Sequence, residues 1–129
     1  MPVSNRLIAT TGQGGAALHN FNDEVIVRMH LPPVKIGVWL LMGRVLIFNI
    51  DNDAQSVSAR LTTDDGATKL DEVDPIRIDG WISQVVSLQG VLSQHLGDAP
   101  IVDLRCSTYD GIASNGSLFA LLVDDLESQ

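Results

Sequence analysis

The most apolar window of the chain, residues 38–51, reads VWLLMGRVLIFNID, and it restricts the fold more than any other segment. The hydrophobic stretch from Ile36 to Ile50 is about 15 residues long, short of the roughly 20 that a helix needs to cross a bilayer, and Arg44 interrupts it. No membrane insertion is expected. Ile36, Val38, Val45, Ile47 and Ile50 are β-branched, and Gly37 and Gly43 weaken a helix interior, so the window is a strand. A strand of this length bends, and Gly43 is the expected position of a bulge or kink between residues 36–42 and 44–50. Leu46, Phe48 and Ile50 fall on one face, Val45 and Ile47 on the other, which gives the strand two dry faces.

Other segments alternate with the period of half-buried strands. Val25, Val27, Met29 and Leu31 oppose Glu24, Ile26, Arg28 and His30, and Val57, Ala59 and Leu61 oppose Ser56, Ser58, Arg60 and Thr62. Val102, Leu104 and Cys106 oppose Asp103, Arg105 and Ser107, and the segment 117–123, SLFALLV, is again apolar on both sides. Window 82–96, with Val85, Val86, Gly90 and Val91, also reads as a strand. Turn signals fall between them at 31–33, 51–55, 63–67, 78–81, 95–100 and 110–116, several with Asp-Gly or Asn-Gly pairs that tolerate positive φ. Short strands with turns every ten residues or so indicate an all-β sandwich or barrel.

At 129 residues the chain is expected to be one domain. A single cysteine, Cys106, excludes an intrachain disulfide, so stability must come from packing or from association. The formal charge is -8 and the eight Lys and Arg are scattered, which argues against nucleic acid and anionic membranes as partners. Hydrophobic residues nevertheless make up 45 %, an excess to be hidden in a full core or a subunit interface. The N-terminus, MPVSNRLIATTGQGG, lacks the basic and apolar regions of a signal peptide, so synthesis in the cytoplasm is expected, with display on a virion or cell surface compatible.

No motif names a reaction. Gly12, Gly14 and Gly15 do not complete a dinucleotide fingerprint or a phosphate loop and are expected in a flexible N-terminal connection. His19, His30 and His95 have no ligand spacing, although one histidine per subunit on a threefold axis would make a set of three. No G-x-S-x-G elbow accompanies the serines, and Cys106 is expected as a buried, inert thiol. Asp51, Asp53, Asp64 and Asp65 sit in turns where clustered carboxylates could hold calcium, but without the EF-hand spacing. Asn115-Gly116-Ser117 formally matches a glycosylation acceptor and is expected as a hairpin turn. No enzyme activity and no cofactor are expected.

The order of the pieces carries a resemblance. Gly37-Val38-Trp39 resembles a Gly-x-aromatic opening of a central strand, residues 56–66 the next strand and hairpin, residues 85–92 and 101–106 the penultimate pair, and residues 115–124 a closing strand with Phe119 as its aromatic. Together they resemble the jelly rolls of the tumour necrosis factor and complement globular-head superfamily, including its bacterial and viral trimeric heads. The resemblance covers residues from about Asp23 to Asp124 and implies a jelly-roll β-sandwich of about ten antiparallel strands in two sheets; residues 1–129 are expected as one such domain, with 1–20 as an N-terminal arm or edge strand. It also implies a homotrimer, and the doubly apolar strands support one, because a single sandwich dries only one face of each sheet. Trp39, Val45, Ile47, Phe119, Leu121 and Val123 are the residues expected at its interface. A non-enzymatic structural or recognition module follows, with a virion decoration or fibre-head protein as its specific form and loops binding protein or carbohydrate. A cupin-like small enzyme or sugar-binding jelly roll is the alternative.

Overall fold

The computed structural model describes residues 9–32, 37–95 and 100–125. Residues 1–8 of the expected arm, Pro33 and Ile36, and residues 96–99 of an expected turn lie outside the described residues. The described residues form eight strands rather than about ten: β1 (Ala9–His19), β2 (Glu24–His30), β3 (Gly37–Asn49), β4 (Gln55–Thr63), β5 (Thr68–Ile78), β6 (Ser83–Gln94), β7 (Ile101–Ser107) and β8 (Asp110–Asp125). They form two antiparallel sheets of four, ordered β1-β8-β3-β6 and β2-β7-β4-β5. Every connection except the β4–β5 hairpin crosses from one sheet to the other, which is the jelly-roll arrangement of two interlocked Greek keys.

The core lies between the sheets. Trp39, Leu41, Val45 and Ile47 of β3 meet Val57, Ala59 and Leu61 of β4 and Val102, Leu104 and Cys106 of β7, all buried. The Trp39 indole N–H donates to Gln94 Oε1 at 2.7 Å, so the largest core side chain leaves no polar atom unpaired.

Strand β3 runs unbroken against β6, and Gly43 is not the bulge. It faces inward, where an added Cβ would lie 3.3 Å from Leu118 and 3.4 Å from Leu104. The irregularity sits instead in β8. Between Ser117 and Ala113 or Ser114, β8 carries one residue more than β1 on one side and β3 on the other, and Asn115 there has φ 51°. Asn115-Gly116 is therefore a bulge inside one long strand rather than a hairpin turn. A Cβ on Gly116 would come within 2.6 Å of Ile26 and 2.8 Å of the Gly14 carbonyl, so this crossing admits only glycine. The glycine-rich segment expected as a connection is edge strand β1, paired with β8. In β2 a register shift between Val25 and Val27 turns both Ile26 and Val27 inward, breaking the expected alternation. Strand β5, rich in acids and carrying Pro75, was not expected; it is the edge of its sheet, where a missing N–H is tolerated.

The expected β4–β5 hairpin is present, with Asp64, Asp65 and Gly66 all at positive φ. Gly66 has φ 88°, and a Cβ would lie 2.9 Å from the Arg105 guanidinium carbon. Gly66→Ala is expected to lower stability by about 1–2 kcal/mol in a urea titration, through left-handed strain and displacement of Arg105.

Candidate functional site

The two outer faces of the sandwich differ in chemistry. On the β2-β7-β4-β5 sheet, the outward residues Asp103 and Arg105 are nevertheless buried, 0 % and 8 % exposed, beneath a web of charge. Arg28 holds Asp103 with a two-pronged fork, Nε to Oδ1 at 2.8 Å and Nη2 to Oδ2 at 2.9 Å. Arg105 donates to the same Oδ2 from Nη2 at 2.7 Å and from Nε at 3.1 Å. Asp65 bridges Arg28 and Arg105 at 2.6 and 3.0 Å, and Asp23 bridges Arg105 and Arg60. Three guanidinium groups and three carboxylates thus balance, tying β2, β4 and β7 to the β1–β2 and β4–β5 turns. Burial works against the ionised Asp103, but the hydrogen bonds from Arg28 and Arg105 outweigh it and hold its carboxyl below the ordinary 3.8. Asp23 is lowered likewise: burial opposes, and Arg60 and Arg105 prevail.

The outer face of the β1-β8-β3-β6 sheet has no such cover. Met42, Val85, Val91, Ile112 and Val123 are 41, 43, 59, 41 and 53 % exposed there. Leu40, Leu46, Phe48, Phe119 and Leu121 are half-buried among them. Cross-strand pairs order this face into rows. Val91, Leu40 and Leu121 form one, and Gln89, Met42 and Phe119 the next. Beyond a polar row of Ser87, Arg44, Ser117 and Gln13, the apolar character resumes with Phe48 and Ile112. An open groove of about 590 Å³ follows the polar row, lined by Met42, Arg44, Asp71, Ser87, Gln89 and Phe119 among others. Arg44 is exposed and makes no hydrogen bond or ion pair among the described residues.

This geometry divides the six residues expected at an interface. Phe119, Leu121 and Val123 lie on the outer face, whereas Trp39, Val45 and Ile47 are fully enclosed in the core. Side chains alternate along a strand, so the outward residues of β3 are Val38, Leu40, Met42, Arg44, Leu46 and Phe48. The four carboxylates considered for calcium are not brought together. Asp51 accepts from the Asp53 N–H in the β3–β4 loop, Asp64 accepts from Thr68, and Asp65 is engaged by two guanidinium groups. Among the described residues no cluster of three or more His, Cys, Asp or Glu could hold a metal. His19 stands 3.8 Å from Asp110, and at the opposite pole His30 ends β2 and His95 follows the end of β6.

One pole gathers the β1–β2, β3–β4, β5–β6 and β7–β8 loops. Phe21 packs on Tyr109 with ring centroids 6.0 Å apart, and Trp81 on Phe48 at 6.1 Å. Phe21, Trp81 and Tyr109 are exposed, and Phe21 and Trp81 hold positive φ, unusual for such bulky residues. A buried knot fixes these loops from beneath: Gln55 donates to Asn49 Oδ1 and the Asp110 carbonyl, and accepts from Thr108 and the Asp110 N–H.

Cys106 faces the core. Burial, aided by the charge of Asp23, pushes its thiol up to about 12. Labelling of Cys106 by a thiol reagent at pH 8 is expected to proceed only as fast as the chain unfolds, with immediate full labelling in denaturant; rapid native labelling would contradict this burial. No helix of the described residues is long and apolar enough to cross a membrane.

No family model matches the sequence, and no curated protein resembles it in sequence. Solved structures do resemble it in fold. That of infectious bursal disease virus, Gt strain, matches 92 % of this chain with a TM-score of 0.61 at 11 % identity. The VP2 subviral particle of the same virus gives 0.55 at 12 % identity. The chain spans 34 % of each of those viral chains, about a third of their length. Eiger TNF from S. frugiperda matches 92 % of this chain with a TM-score of 0.53 at 11 % identity, and 94 % of that protein is covered.

Proposed function

We propose that this chain is a non-enzymatic structural module of a virion or other displayed surface, assembled as a homotrimer through the outer face of its β1-β8-β3-β6 sheet. The observation that carries this reading is the contrast between the two outer faces. One is closed by its own charge web; the other leaves rows of Leu, Met, Val, Ile and Phe without a covering layer. A closed ring of three copies covers that face without open-ended growth. The fold shared with infectious bursal disease virus particles and with a tumour necrosis factor supports a virion decoration or fibre-head protein as the specific form. A cupin-like site finds less support, since the space between the sheets is filled by apolar side chains.

The pole with Phe21, Trp81 and Tyr109 is the recognition end, for protein or carbohydrate. Its aromatics are exposed while the Gln55 knot holds their loops in place. The first and last described strand ends, Ala9 and Asp125, lie at the other pole. Light scattering and native mass spectrometry over a hundredfold concentration range test the assembly. A mass of three 13.9 kDa chains is expected, and a concentration-independent mass of one chain would overturn it.

A further inference from the structure

Arg44 poses a problem that the trimer reading does not by itself resolve. It stands in the middle of the face proposed to be covered, yet no carboxylate of its own chain pairs with it among the described residues. A cation moved from water into a contact without a counter-charge weakens that contact strongly. The apolar rows on either side are therefore usable only if a neighbouring copy supplies an acid.

The same groove holds an acid in the complementary situation. Asp71, on β5, accepts one backbone N–H at each oxygen, from Glu72 at 2.8 Å and from Gln89 at 2.9 Å. These bonds fix the carboxylate, leave acceptor capacity on both oxygens, and supply no cation. Arg44 and Asp71 both line the groove, but no ion pair joins them within one chain.

A ring needs two different surfaces in each copy, one meeting the other on the next subunit. The β3–β8 face with Arg44 is one. The β5–β6 flank with Asp71 is the other; it adjoins the β6 margin of that face, where Val85 and Val91 are exposed, whereas the β1 margin presents Thr11, Gln13 and Gly15. Resting on the homotrimer reading, we infer that Arg44 of each copy pairs with Asp71 on the flank of the next, and that this charge pair fixes the register of the ring. The apolar rows tolerate sliding; a buried cation that must find one carboxylate does not.

Charge reversal with subunit mixing tests this. Arg44→Glu and Asp71→Lys each place like charges together at every contact and are expected to be monomeric. In a mixed ring of three, two contacts become Glu–Lys and Arg–Asp while the third keeps like charges, so 2:1 mixed trimers are expected in native mass spectrometry where either variant alone gives none, in lower yield than the double variant gives. The double variant is expected to trimerise alone. The neutral variants Arg44→Gln and Asp71→Asn, at positions that leave the core untouched, are expected to weaken assembly at least about tenfold. Mixing rescues only a pair between chains, because a pair within one chain is not restored by a second chain. The pairing is overturned if the single reversals stay trimeric, or if neither mixing nor the double variant restores trimers while circular dichroism shows folded chains. A wild-type monomer would overturn the trimer reading itself, an outcome distinct from both.

Discussion

Leu121→Glu is expected to turn the proposed trimer into a folded monomer. Leu121 lies on the outer face of β8 beside Leu40 of β3, half-buried in the isolated chain. A glutamate there reaches water as long as the face is open, so the sandwich core is not disturbed. Once a second copy covers the face, the carboxylate loses water and gains no cation, at a cost of several kcal/mol. At about 1.4 kcal/mol per tenfold, even 4 kcal/mol weakens each contact roughly a thousandfold. A ring of three contacts suffers that penalty three times. Ser56→Glu, on the exposed outer side of β4, is the control and is expected to leave the trimer intact. The two variants are compared by native mass spectrometry, with circular dichroism confirming the fold. A trimeric Leu121→Glu of unchanged dissociation constant would exclude this face as the contact.

How far the sequence reveals this surface depends on particular residues. The long apolar window reads correctly as a strand, but its apolar residues alone do not say which face points outward. Both sets are nearly all hydrophobic, and a one-residue change of parity exchanges them. One cue was present: Arg44 shares its parity with Leu40, Met42, Leu46 and Phe48, and a lone arginine belongs on the side that is open in the single chain. Gly43 looked like a kink because glycine weakens strands, whereas its missing side chain makes room for Leu104 and Leu118. Asn115-Gly116 looked like a turn because local chemistry favours positive φ there. Whether such a pair ends a strand or bulges it is decided by the neighbours β1 and β3, which continue past it. The charge web was the least legible feature. Its members come from five elements, with Asp23 and Arg105 separated by 82 positions, and in the alternation of β7 both Asp103 and Arg105 read as ordinary solvated residues.

Asp103→Asn tests that web and is expected to be the most damaging single change outside the apolar core. Asp103 is fully buried and receives four hydrogen bonds from two guanidinium groups. Replacing it by a neutral amide leaves Arg28 and Arg105 facing each other with Asp65 and Asp23 alone to balance them. Removing one partner from a buried ion cluster costs about 3–5 kcal/mol, against a total of about 5–15 kcal/mol for a domain. Asp65→Asn is expected to cost far less, at most about 1 kcal/mol, because the Asp65 side chain is 79 % exposed and water already screens it. The pH dependence follows from the lowered carboxyls of Asp103 and Asp23. Their contribution is complete above the ordinary 3.8 and is lost as pH falls through the lowered folded values. Stability should therefore decline on acidification in that range, and Asp103→Asn, lacking one of the two groups, should decline less steeply from its lower starting point. Urea titrations at one fixed protein concentration, from pH 7 down to pH 2, measure both effects. The triple change Arg28→Met, Asp103→Leu, Arg105→Met separates burial from pairing, since a packed apolar substitute for a buried ion cluster is often close to neutral. A loss under about 1 kcal/mol for Asp103→Asn would mean that water reaches the web and that its arginines are solvated, and the contrast between the two outer faces would then weaken with it.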